Sequence, residues 1–461
     1  MRQKVAIIGS GISGLATAWL LRDDHDVTLF ERDARLGGHS HTVEVGAGHG
    51  GDDAATLPVD TGFMVFNHWT YPNLVGLFDE LGVATQPCPM SFSVSADGGR
   101  VEWAGTSLDA LFAQRRNLVN PRFLGMLRDI ARFNRLGVAA AAASASTAGL
   151  AQRSLREWLD MHRFGDGFRD LYLLPMAAAI WSSPTTRILD YPVLGLLRFF
   201  ANHGLLSVND RPQWHTPSGG SRVYVQRMAA DIRARGRVVT RAGIERVERL
   251  SGAGVRLHRG LAGVEEFDQV VMACHADQAL ALLANPSIHE RLALQRITYQ
   301  PNRVYLHADP ALMPRRERAW AAWNYRRDGL DGGGHAVSVT YWMSLLQSLP
   351  RPDVFVSLNP VEPPRDDRVF AEFSYAHPLL DQRAAEGQRM MGGVQGRDRI
   401  WFAGAWLGNG FHEDGLNSAL AVANAFGVRA PWQTAQAGGV DTPRQAEPVV
   451  TAGSSGLDRA A

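Results

Sequence analysis

Lys4 to Ile8 is a short apolar run that stops at glycines, the pattern of a buried parallel strand. Ile12 to Arg22 then reads as a helix, and Asp26 to Glu31 as a second short strand. Strand, glycine turn, helix and strand make a βαβ unit. From Pro72 to Leu206 the pattern is mostly helical, with few strand signals. Within it, Leu108 to Leu136 sets Phe123, Leu127, Ile130 and Phe133 near helical spacing. Pro192 to Leu206 is strongly apolar and holds Phe199, Phe200 and His203. Strand character returns at Arg237–Thr240, Ile244–Leu250, Val255–His258 and Phe267–Ala273. It continues at Val304–His307, Ala336–Trp342, Val354–Ser357 and Ile400–Ala403. A glycine-rich turn and a helix from about Gly415 to Phe426 follow.

Length and composition narrow the class. The 461 residues suggest roughly three folding units. With 47 basic and 46 acidic residues, the formal net charge is +1, which argues against a nucleic-acid coat. Charged residues at 20% and hydrophobic ones at 45% fit an ordinary soluble enzyme. Wholesale disorder, collagen-like repetition and a disulfide scaffold are excluded. Cys88 and Cys274 are far apart, with no metal-site or redox-pair spacing, so a reducing, cytoplasmic compartment is expected. No run reaches the roughly 18–20 apolar residues of a membrane span. Residues 431–461, rich in Ala, Gly, Pro, Gln and Thr, read as a disordered tail.

Three motifs carry chemistry. Gly9-Ser10-Gly11-Ile12-Ser13-Gly14 follows a strand and opens a helix, and Glu31 ends the next strand. Gly9 makes the tight turn, Gly11 admits a pyrophosphate, and Gly14 lets helix and strand pack. Free N–H groups at the helix start suit phosphate, and Glu31 suits ribose hydroxyls. The second motif is Arg32, then Arg35-Leu36-Gly37-Gly38-His39-Ser40-His41-Thr42. A nicotinamide domain has no need of this second glycine pair, whereas an FAD enzyme passes its chain close to the cofactor again here. The third motif is Phe402-Ala403-Gly404-Ala405, then Phe411-His412-Glu413-Asp414-Gly415-Leu416-Asn417-Ser418. A helix N-terminus there can stabilise negative charge on a reduced flavin. Glu413 and Asp414 can equally be plain helix caps.

Together these segments resemble the flavin-containing amine oxidase superfamily over most of residues 1–430. The resemblance implies non-covalent FAD held by Gly9, Gly11, Ile12, Ser13, Gly14, Glu31 and Arg32. It extends the site to Gly37, Gly38, His39, Thr42 and Gly62. Val247 is expected at the adenine, and Gly404, Asp414, Gly415, Leu416 and Asn417 at the flavin. No metal is expected. Asp60-Thr61-Gly62-Phe63, Asn202 to Leu206 and Trp323-Asn324-Tyr325 are similar to a bacterial branch of predicted NAD/FAD-binding oxidoreductases. That branch is similar to the N-terminal part of plant cyclopropane fatty acid synthases and tends to accompany lipid-modifying methyltransferases. It implies fatty-acyl or phospholipid chemistry, and a lipid methyltransferase as partner.

The sequence also departs from the amine oxidases. Many of them hold a water near flavin N5 with a lysine. Here the single lysine is Lys4, at the wrong end of the first strand. His39 replaces a usual arginine, and Ala405 replaces a usual acid.

The expected fold is α/β. A Rossmann-like FAD-binding domain is assembled from 1–70, 210–285 and 395–430. An α+β substrate domain from 71–209 and 286–394 carries a helical cap. The expected activity is FAD-dependent dehydrogenation of a fatty-acyl phospholipid, with His412 or Glu413 handling the proton. Amine oxidation and a non-catalytic flavoprotein partner of a lipid methyltransferase are the alternatives. Trp181, His203 and Trp323 are candidates for lining a substrate cavity. The arginine-rich stretch from Arg115 to Arg135 reads either as a solvated face or as a peripheral membrane contact.

Overall fold

The computed structural model describes residues 2–46, 56–142, 148–207, 211–252, 254–327 and 338–435. Its organising element is a five-stranded parallel sheet. In spatial order the strands are Arg237–Val239, Asp26–Phe30, Lys4–Ile8, Gln269–Met272 and Ile400–Phe402. The central strand is therefore the first in sequence, and one edge strand arrives almost 400 residues later. The helix Ile12–Leu21 follows the central strand, and all ten of its residues are buried. The helix His412–Ala425 packs beside it. Gly415 makes that approach possible. A Cβ there would stand 2.7 Å from the Ile12 side chain.

A seven-stranded sheet carries the rest. Its order is Val369–Leu379, Thr298–His307, Phe355–Leu358, Ser338–Trp342, Trp323–Arg327, Phe92–Ala96 and Val101–Ala104. Helices pack on it, among them Pro121–Ala142, Leu174–Trp181 and Val193–Asn202, around Trp158, Phe133, Phe168 and Phe200. Three strands thus fall inside the stretch that reads as mostly helical: Thr85–Cys88, Phe92–Ala96 and Val101–Ala104. Phe92-Ser-Val-Ser-Ala looks like a solvent-facing strand, yet it lies inside a sheet, and the polar residues are absorbed there. Ser93 Oγ donates to Asn324 Oδ1 at 2.7 Å, and Ser95 Oγ to Glu102 Oε1 at 3.1 Å.

The strand expected from Ala336 runs over Ser338–Trp342, and its first two residues lie outside the described ones. The expected tail is corrected at its start. Pro431–Ala435 is helical, and Trp432 stacks on Trp19 with ring centroids 6.3 Å apart. An indole against an indole holds this turn down. Residues 436–461 lie outside the described residues. Among the described residues no helix is long and apolar enough to cross a membrane.

Candidate functional site

One cavity of about 1020 Å³ runs from the first glycine turn into the seven-stranded sheet and its helices. At its first end the two glycine motifs touch. Gly38 has φ +57°, and a Cβ on it would stand 3.0 Å from Gly11 Cα. Gly37 N donates to Ser10 O at 3.0 Å. Gly11 is different. A Cβ on it would meet no protein atom within 4 Å, so nothing in the protein itself demands glycine there. The opening fits a pyrophosphate against the helix N-terminus. Unspent donors stand close by. Arg35 Nη1 and His39 Nε2 are buried without partners, and both residues line the cavity. Leaving such donors unmade is costly, and an anionic, hydroxyl-rich cofactor would satisfy them. Glu31 lines the same end, where its carboxylate accepts from Ser10 N at 2.9 Å. The residues present fit FAD.

Of the expected cofactor residues, Gly9, Gly11, Ile12, Ser13, Glu31, Arg32, Gly37, Gly38, His39, Gly62 and Gly404 line this cavity. Gly14 packs beneath the turn instead, since a Cβ on it would fall 1.8 Å from Gly9 O. Val247 requires correction. Its side chain is buried in the core between the three-stranded and parallel sheets, and Ala242, Gly243 and Ile244 line the cavity in its place. The apolar residue three positions earlier was the available signal. Thr42 is also corrected. Its hydroxyl donates to buried Asp60 at 2.6 Å and accepts from Arg222 N, away from the cavity.

The C-terminal motif divides in the same way. Leu416 belongs to the core, and Asn417 is exposed, accepting from Asn73 Nδ2 at 2.9 Å. Asp414 turns back on its own loop and accepts from Phe411 N at 2.9 Å, so it is a cap. Glu413 points away from the cavity. Its two oxygens accept from Asn73 N, Asn73 Nδ2 and Leu74 N at 2.9–3.0 Å, capping the helix Pro72–Leu81. Burial pushes its carboxyl up to about 7. The expected proton-handling role is therefore withdrawn from Glu413. Glu413→Gln sets an amide nitrogen against a backbone N–H. It is expected to cost about 1–3 kcal/mol of stability while leaving flavin reduction by substrate unchanged. Urea unfolding beside stopped-flow reduction checks both halves.

His412 does line the cavity. Its ring stacks on Phe63 with centroids 3.7 Å apart, and Nε2 lies 2.9 Å from Ser40 Oγ. Burial pushes its pKa down to about 3. The imidazole is thus neutral at physiological pH and does not titrate near neutrality as expected.

Trp181, His203 and Trp323 all line the far end of the cavity, with Met90, Phe92, Met176, Phe199 and Tyr341. Trp181 Nε1 donates to Asn409 O at 3.3 Å, and Trp323 Nε1 is buried without a partner. Sequence reasoning missed Tyr172. A π-helical turn at Arg169–Leu173 precedes the helix Leu174–Trp181, and Tyr172 of that turn lines the cavity. It also missed His275 and His377, which stand 6.3 and 5.1 Å from His39 between ring centroids. Cys274, remote in sequence from the C-terminal motif, is its neighbour in space, because Trp406 Nε1 donates to Cys274 O at 3.1 Å.

Solved structures share this architecture. Cyclohexylamine oxidase from Brevibacterium oxydans is 17% identical, with 93% of this chain and 100% of that chain covered at a TM-score of 0.65. Putrescine oxidase bound to putrescine is 16% identical, with 92% and 99% covered at 0.63. A fatty acid isomerase from P. acnes that produces CLA is 15% identical, with 92% and 99% covered at 0.62. At such identities the likeness speaks for the fold. Residues 12–349 match the model of the flavin containing amine oxidoreductases, well over half of the chain. With the paired glycine turns and the unspent donors around them, that match makes the chain a member of this family, an FAD-dependent oxidoreductase.

Proposed function

We propose that this oxidoreductase dehydrogenates an unactivated or allylic carbon chain, that of a fatty-acyl lipid. The supporting observation is the composition of the chamber beyond His412. Among the described residues lining the cavity, the carboxylates are Glu31 and Asp33, both at the nucleotide end. The far end offers indole, phenyl, thioether and aliphatic walls. His203 stands among them with its pKa pushed down to about 4 by burial, so it is neutral. An ammonium entering such a chamber loses water and gains no counter-ion, whereas a hydrocarbon chain gains by burial. Lys4 lies outside the cavity lining, at the start of the central strand.

FAD, held by the glycine turns, would supply the acceptor for the hydride that leaves one substrate carbon, and the proton lost from the neighbouring carbon would pass to solvent at the exposed rim of the cavity. The chain's own residues exclude water and orient the substrate. Phe199 and Phe411 stack with centroids 4.9 Å apart, and Trp181 packs on Phe199 at 4.8 Å. His412, neutral and tied to Ser40, is a fixed wall and polar contact.

The test is an anaerobic absorption spectrum of the holoenzyme before and after adding unsaturated or methyl-branched phospholipid. Bleaching of the oxidised flavin band is the expected result. An unchanged band would favour a lipid-presenting partner of a methyltransferase. Bleaching by cyclohexylamine or putrescine alone would favour amine oxidation.

A further inference from the structure

Among the described residues the far chamber has one charged residue at its rim. Arg211 lines the cavity beside Leu205, Gln213 and Trp214 and is itself exposed. Its Nε donates to Ser207 O at 3.1 Å, which fixes the plane of the guanidinium. Among the described residues Arg211 forms no ion pair with an acid, unlike Arg122, Arg169, Arg222 and Arg237. It stands near enough to Tyr172, which also lines the cavity, for its charge to act on that phenol. The other arginines of the lining, Arg32 and Arg35, stand at the nucleotide end.

A guanidinium whose Nη1/Nη2 edge is left for a ligand, at the mouth of an apolar chamber, matches one kind of ligand. That ligand has an anionic head of planar or tetrahedral oxygens and a hydrocarbon tail. We propose that Arg211 is the head-group anchor of the substrate site, selecting anionic single-chain or phospholipid amphiphiles over neutral ones. The head stays at the wet rim, where the charge keeps part of its hydration. The tail enters the chamber past Tyr172 and Trp214. This rests on the lipid reading above and adds the charge that the head must carry.

Binding tests it without turnover. Holoenzyme is titrated with oleate, 1-oleoyl-lysophosphatidate and oleyl alcohol, reading the perturbation of the flavin absorption band. The two anions are expected to bind about tenfold or more tightly than the alcohol. Arg211→Gln should bring the anions down to the alcohol's affinity while leaving the alcohol unchanged. Arg211→Lys should keep part of the preference. A stronger effect on oleate names a carboxylate head, and a stronger effect on lysophosphatidate names a phosphate head; either supports the anchor. Equal affinities in the wild type, or a preference that survives in Arg211→Gln, overturns the anchor and leaves the lipid reading standing. Failure of all three probes to bind overturns both. Arg211 is exposed, so the variants keep the fold, and an unchanged flavin spectrum before titration verifies this.

Discussion

Gly11→Val is expected to yield a folded protein that has lost its FAD. The backbone there has φ −64° and ψ 178°, an extended conformation that valine adopts readily. A Cβ at this position meets no protein atom within 4 Å, so the variant keeps its packing. The same space is what a pyrophosphate needs. Overlap between the isopropyl group and the cofactor should weaken binding by about 3 kcal/mol, roughly a hundredfold. Gly14→Val is the contrast, since its Cβ would fall 1.8 Å from Gly9 O and the turn itself must break. Purification with a flavin-to-protein ratio near zero, but a native circular dichroism spectrum, is expected for the first variant only. Full flavin content in Gly11→Val would show that the cofactor does not sit on this turn.

The second large effect is on acid stability. Among the described residues burial is the first cause of depressed pKa values in ten histidines, six of them strongly lowered. His41, His203, His307 and His377 are brought down to about 4 and His412 to about 3, and His39 lies well below its usual value. In the unfolded chain each takes its proton near 6.5. Below that pH the unfolded chain holds more protons than the folded one. The stability that these histidines contribute is therefore complete above about pH 6.5 and is lost as pH falls toward 4. Three buried carboxyls oppose them. Asp60 and Asp414 are pushed up to about 6 and Glu413 to about 7, so the folded state keeps their protons where the unfolded chain has released them. Their contribution is present at low pH and fades as pH rises through 6 to 7. The strongly lowered histidines outnumber these raised carboxyls, so near pH 5 the unfolded chain holds more protons than the folded one and stability rises with pH. Urea midpoints of the holoenzyme should fall steeply from pH 6.5 to 5. A flat profile across that range would contradict the burial of this cluster.

The sequence was most legible where glycine carries the chemistry. Both glycine pairs are read from local pattern, because Gly9, Gly37 and Gly38 take positive φ while Gly11 and Gly14 leave room for a close approach. Side-chain direction was the harder part. Glu413 and Asp414 sit at a helix start beside His412, yet successive helical residues point about 100° apart, and only His412 faces the cavity. Val247 and Ile244 differ by three positions in one strand approach, and periodicity alone does not say which face meets the cofactor. The Phe92–Ala96 segment does alternate apolar residues with serines, but the pattern promises one wet face, and in the fold both faces of this strand are covered. The meeting of Cys274 with Trp406 depends on the pairing of the strands before them, which no spacing records.

The parallel sheet also has a consequence for biosynthesis. Its central strand and fingerprint helix leave the ribosome first, while the edge strand Ile400–Phe402 and the helix His412–Ala425 come last. At about 5–20 residues per second, the turn that grips phosphate waits roughly 20–80 s for the segment that closes the site. Throughout that interval the helix Ile12–Leu21, buried on every side in the finished protein, has one flank bare. A chain cut shortly before residue 400 would keep the nucleotide fingerprint and lack the strand and helix that complete the site.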